Sequence, residues 1–126
     1  MIRRQLSLYA EGPLRARLEA VRTLVDPVQA ALIPAHVTLC RDEEVADLDA
    51  DAMAQRLRGA TRLRLAFGAA ERFSGHGILL PCVSGQDAFH ALRQRALGRL
   101  DVRRAEAHLT LAHPRNPRAA GNDLAA

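Results

Sequence analysis

Apolar residues in this chain recur with two spacings, every second residue in short runs and every third or fourth in longer ones. Residues 5–9, QLSLY, alternate polar and apolar and predict a strand. Gly12-Pro13 then opens a helix, with Pro at a first-turn position that needs no N–H. Leu14, Leu18, Val21, Leu24 and Val25 follow at helical spacing, and Asp26-Pro27 ends the run. A short segment leads through Pro34 to HVTLC, residues 36–40, which predicts a strand. Residues 42–51 are acidic and precede AMAQRLRG. Carboxylates in front, Arg56 and Arg58 near the end and Gly59 after them predict a helix. TRLRLAFG, residues 61–68, alternates strictly and predicts another strand. AERFSGHGILLPCV predicts a short strand, a Ser-Gly-His-Gly turn and a second strand. Ser84 with Asp87 three residues on has the form of a capping box, opening a helix that runs to about Gly98. Residues 100–106 connect to HLTLA, a strand that Pro114 ends. The tail, residues 116–126, is small and polar and is expected to fray.

HVTLC and HLTLA share more than their apolar residues. His36 and His108 are 72 residues apart, and the same shift carries Leu6, near the start of QLSLY, to Ile78, near the start of ILLPCV. Strand, helix, connector and motif therefore recur in the same order. The expected fold is α+β: two lobes, each a strand–helix–strand unit, related by a pseudo-two-fold, with the first and last strands of each lobe as neighbours.

In a strand, residues i and i+2 share a face. His36 and Thr38 thus project together, with Val37 and Leu39 packed behind them; His108 and Thr110 do the same, backed by Leu109 and Leu111. A pseudo-two-fold would bring all four polar groups to one groove. The chain has 5 His and 4 Thr, so two His-x-Thr pairs would arise by chance roughly once in a hundred such sequences. Two imidazoles across a groove suit acid–base chemistry at phosphorus. A neutral ring takes the proton of the attacking water, and a protonated ring gives one to the leaving oxygen. The threonine hydroxyls would donate to nonbridging phosphate oxygens. No metal or other cofactor is required.

Composition narrows the partner. At 126 residues, 48% hydrophobic and 25% charged, the chain reads as one globular domain over residues 1–126. No apolar run nears the ~20 residues of a membrane span, and MIRRQLSLYAEG lacks the apolar stretch of a signal peptide. A cytoplasmic location with no membrane partner is the expectation. Cys40 and Cys82, in strands and without a Cys-x-x-Cys partner, read as buried reduced thiols. The net charge of +4 points to an anionic partner. Its arginines are dispersed and aromatics are only 3%, so a small anionic ligand fits better than a long polymer track.

HVTLC and HLTLAHPRNP resemble the paired H-x-T-hydrophobic motifs of the 2H phosphoesterase superfamily, in particular its bacterial 2'-5' RNA ligase-like and cyclic phosphodiesterase members. The resemblance spans residues 5–115, and its specific part is the two motifs. It implies a bilobal α+β fold with antiparallel sheets around a central cleft. It also implies metal-independent cleavage of 2',3'-cyclic phosphates or reversible handling of 2'-5' RNA linkages. Carried onto this chain, it makes His36 and His108 the catalytic pair and Thr38 and Thr110 the phosphate ligands. The chain departs from the family after its second motif, where only a short tail follows, so a shortened second lobe is expected. A groove of that kind could instead hold a nucleotide or RNA-end phosphate without turning it over, or the histidines could be incidental to an interaction domain.

The remaining polar residues weigh less. His113, Arg115 and Tyr9 are further candidates for substrate contact. In an ideal strand His113 and Arg41 point away from the His–Thr face, which favours surface roles. Tyr9 and Phe67 could wall one base but read as core residues. His76 lies in an exposed glycine turn, and His90 sits on a helix, solvent-facing or half-buried.

Overall fold

The computed structural model describes residues 4–75 and 77–113. Its first elements are β1 (Leu6–Tyr9), α1 (Pro13–Val25), α2 (Pro27–Leu32) and β2 (His36–Cys40). Pro13 starts α1, where a missing N–H leaves nothing unpaired, and Pro27 stops it by disfavouring the helical conformation at Asp26. The segment after Pro27, expected as a plain connector, is itself helical. Asp26 caps it, its Oδ1 accepting the Gln29 N–H at 3.3 Å, and Pro27 takes the first helical position. The single helix expected from the acidic stretch is two, α3 (Asp42–Val45) and α4 (Ala50–Arg56). Asp49 caps the second through its bond from Asp51 N–H at 3.3 Å.

The strand expected over residues 61–68 shrinks to β3 (Ala66–Phe67). Its alternation is nonetheless used: Leu63 and Leu65 pack on the core while Arg62 and Arg64 stay exposed. One-sided burial produces the same period as a strand without a neighbouring strand to complete the ladder. β4 (Glu71–Phe73) and β5 (Gly77–Ser84) form the expected pair, and α5 (Gln86–Leu97) and β6 (His108–Ala112) follow. The capping box at Ser84 does not form. Gly85 is the N-cap, with φ 97°, and Asp87 bonds Arg104 instead. A Cβ at Gly85 would lie 2.4 Å from the Arg64 carbonyl oxygen, so the chains meet there as closely as glycine permits.

The strands follow one antiparallel path in the order β1-β2-β6-β5-β3, with β4 also paired to β5. Each His-x-Thr strand lies beside the strand that opens its own half, as expected. Their registers coincide. Leu6, Ser7, Leu8 and Tyr9 pair with Cys40, Thr38, Val37 and His36, and a shift of 72 turns these pairs into Ile78–Ala112, Leu79–Thr110, Leu80–Leu109 and Pro81–His108. The register break falls at the matching step in both, between Leu6 and Ser7 and between Ile78 and Leu79.

The helices pack crosswise, α1 against β6 and α5 against β2. Each buries a stripe with the same spacing, Leu18, Arg22 and Val25 on α1 and Phe89, Arg93 and Ala96 on α5. The main core gathers Leu18, Val37, Leu39, Phe89, Leu97 and Leu109, each fully withdrawn side chain contributing ~1.5–3 kcal/mol. Arg93, 1% exposed, grips Glu44 through two bonds of 3.0 and 2.6 Å and donates to the carbonyls of Leu39 and Arg103 at 2.6 and 3.0 Å. It thereby ties the end of β2 to the segment that leads into β6. Cys40 is buried, and loss of hydration pushes its thiol up to about 11. Cys82, expected to be buried, is half-buried on β5, where its Sγ donates to Ser84 O at 3.1 Å. Among the described residues, no helix is long and apolar enough to cross a membrane.

Candidate functional site

β2 and β6 are neighbours in the middle of the sheet, paired through Val37 and Leu109. Those two side chains are 6% and 2% exposed and face the core. Alternation then sends His36, Thr38, His108 and Thr110 to the other face. Antiparallel pairing about Val37–Leu109 sets His36 opposite Thr110 and Thr38 opposite His108. The two histidines are therefore diagonal neighbours, at backbone positions about 7–8 Å apart. All four side chains are half-buried and line one cavity of about 240 Å³. The rings are neither buried apart nor turned to opposite surfaces.

Both imidazoles are oriented in the same way. His36 Nδ1 lies 3.0 Å from Pro34 O, and His108 Nδ1 lies 3.4 Å from Glu106 O, in each case the carbonyl two residues earlier. A carbonyl only accepts, so Nδ1 carries the proton and Nε2 is left as the nitrogen for proton exchange. Burial lowers the pKa of His36 below the ordinary 6.5, opposed by the Pro34 bond and reinforced by the positive charges of Arg22 and His108. His36 is thus neutral at neutral pH. Thr38 Oγ1 accepts a long bond, 3.5 Å, from Gln5 Nε2, which leaves its own O–H to donate.

The rest of the lining includes residues that sequence reasoning passed over. Gln5, Arg22, Gln29 and Phe73 all contribute. Gln5 was accessible from strand alternation, since it continues the Ser7 face that borders Thr38. Arg22 carried a signal too: a charged residue at a core-facing position of an otherwise apolar helical stripe. Phe73 sits 6.3 Å from His108, ring centre to ring centre, and packs over Gly77, where a Cβ would lie 2.4 Å from its ring. Gln29 lay in the segment not read as a helix.

His113, expected to point away, lines the cavity. β6 ends at Ala112, so strand alternation no longer governs it, and Asp26 Oδ2 accepts its backbone N–H at 2.9 Å. Leu111, expected behind the motif, is half-buried and also reaches the cavity wall. Tyr9 is not a core residue. It is 54% exposed on edge strand β1, 6.4 Å from the His36 ring, and borders a second, more apolar cavity of about 590 Å³ that, among the described residues, shares only His36 with the first. Phe67 lines that second cavity and packs against the core. Arg41 is exposed and pairs with Glu43 at 3.8 Å, away from the site. His90 is half-buried on α5, with Nδ1 buried and unpaired among the described residues. Arg115 and His76, like the expected tail, lie outside the described residues.

The titratable side chains of the smaller cavity are Arg22, His36, His108 and His113, and no Asp or Glu of the described residues lines it. Among the described residues, no three His, Cys, Asp or Glu side chains are grouped to hold a metal. A concave site with hydroxyl, amide, imidazole and guanidinium donors, without a facing carboxylate, suits an anion. No family model matches the chain, and no curated protein and no solved structure matches it.

Proposed function

We propose that the chain is a metal-independent phosphodiesterase acting on 2',3'-cyclic phosphate or 2'-5' linked nucleotide or RNA ends, with His36, His108, Thr38 and Thr110 as its reacting and binding groups. The observation that carries this reading is the meeting of the two His-x-Thr pairs across the β2–β6 seam in one cavity that no carboxylate of the described residues lines. The coincident registers support the finer architecture, two strand–helix–strand lobes related by a pseudo-two-fold whose axis passes near Val37 and Leu109, with the cavity as the cleft between them. The motif resemblance to 2H phosphoesterases agrees with both.

In this mechanism, neutral His36 takes a proton from the attacking water through Nε2 as the new P–O bond forms. His108, doubly protonated, gives its Nε2 proton to the leaving ribose oxygen as the old P–O bond breaks. The Nδ1–H groups stay on the Pro34 and Glu106 carbonyls and keep both rings aimed. Thr38 and Thr110 donate to the nonbridging oxygens, where negative charge grows in the transition state. A volume of about 240 Å³ lies below the ~300–1,000 Å³ of sites that enclose a whole drug-sized ligand, so it suits a phosphate and its sugar, with the base outside.

The test is turnover of 2',3'-cyclic nucleotides and of 2'-5' linked oligonucleotides by the full chain. Activity that disappears in the His36→Ala, His108→Ala double variant supports the reading. Wild-type activity no higher than that of the double variant ends it, and phosphate-dependent binding without product would then favour a non-catalytic phosphate-binding module.

A further inference from the structure

Arg22 stands outside both motifs, yet among the described residues it is the one side chain lining the cavity whose charge is permanent. It is 3% exposed. A guanidinium withdrawn that far from water needs close partners, and those of Arg22 are distant. Nη1 reaches the two Glu19 carboxylate oxygens at 3.3 Å each, and Nη2 reaches Gln29 O at 3.4 Å, against ~2.7–2.9 Å for ordinary charge-assisted bonds. Glu19 gives its closer contact, 2.5 Å, to the Ala35 N–H and does not line the cavity.

The matching arginine on α5 behaves differently. Arg93 holds Glu44 in a tight two-point pair and also donates to two carbonyls, all from its two Nη groups and at 2.6–3.0 Å, with only Nε left buried and unpaired among the described residues. Arg22 occupies the equivalent place in the α1 stripe but is loosely held from behind and opens onto a cavity of donors. We propose that Arg22 is a substrate-binding residue, the fixed cation that takes the charge of the phosphate held between the two His-x-Thr pairs. The proposal rests on the reading of this cavity as a phosphate site and adds the residue that supplies its permanent charge. Glu19 orients the guanidinium and offsets part of its charge while the cavity is empty.

Inorganic phosphate titrated into the full chain at neutral pH, followed through the imidazole resonances of His36 and His108, tests this directly. Arg22→Gln is expected to weaken phosphate binding by ~10–100-fold, the loss of one charge-assisted contact, and Arg22→Lys to recover part of it. Glu19→Gln keeps an acceptor for Ala35 N–H but removes the opposing charge, so phosphate binding tightens by about 2–5-fold. An Arg22 that only supports the fold predicts otherwise. Unchanged affinity in folded Arg22→Gln, or weaker binding in Glu19→Gln, overturns the proposal while leaving the catalytic reading intact. If Arg22→Gln does not fold, Arg22→Lys and Glu19→Gln decide by their opposite expected signs. Wild-type protein that shows no phosphate-dependent shift at either imidazole overturns this proposal together with the reading on which it rests.

Discussion

At the scale of single residues, His36 combines a pinned Nδ1 with a burial-lowered pKa, which fits it for accepting a proton at neutral pH. Replacing either His36 or His108 by Ala is expected to lower turnover by ~10²–10⁴-fold with the fold retained, checked by kinetics beside circular dichroism. The pH dependence follows from the direction of the shift. His36 must be neutral to act, so the acidic limb of the rate profile lies below 6.5 and disappears in His36→Ala. The same shift has a stability consequence. The folded pKa is depressed, so the unfolded chain binds the extra proton first; His36's contribution is complete above 6.5 and declines as pH falls through the lowered folded value. A denaturant midpoint that falls less in His36→Ala than in wild type over that window is the expected measurement. Gly77 belongs to the same scale: a Cβ there meets the Phe73 ring, so Gly77→Ala is expected to move that ring against His108 and perturb the His108 imidazole resonances.

At the scale of elements, Arg93, held by Glu44, ties the end of β2 to the segment leading into β6, so that junction does not rest on apolar packing alone. Removing Glu44 leaves the buried Arg93 charge uncompensated, so Glu44→Ala is expected to cost ~3–5 kcal/mol in urea unfolding. Its hydrogen bonds from Arg93 hold the Glu44 carboxyl down at about 2, against an ordinary 4.5. Stability from this pair is therefore full above pH 4.5 and is lost as pH falls towards 2; in Glu44→Gln that acid-dependent loss is expected to shrink. Legibility in the sequence differed between elements for physical reasons. α1 was readable because its helical spacing and its stop signal, Pro27, act locally, and the end of α5 was readable because Gly98 does. The strand expected over residues 61–68 was misread because Leu63 and Leu65 alternate for burial alone, with no partner strand beside most of the segment. The capping box at Ser84 failed because Gly85 takes a left-handed conformation against the Arg64 carbonyl, a tertiary contact that no local pattern announces.

At the scale of the whole molecule, β2 and β6 occupy the interior of the sheet with helices packed crosswise upon them. Their amides are expected to be among the slowest to exchange with deuterium, and those of edge strand β1 to exchange faster. A ligand that bridges the two strands should stabilise the entire fold. Phosphate at a hundred times its dissociation constant is expected to add ~2.7 kcal/mol, seen as a raised Tm that the His36→Ala, His108→Ala double variant lacks. The pairing of each His with its Thr on one face was settled by sequence, because a strand's alternation is a property of its own backbone. So was the burial of Val37 and Leu109 behind them. Tertiary structure decided that the two strands adjoin, which register sets each His opposite the other motif's Thr, and that Arg22, Gln29 and His113 enter the same cavity. Those relations join residues far apart in the chain, and only the packing of helices on the sheet determines which of them meet.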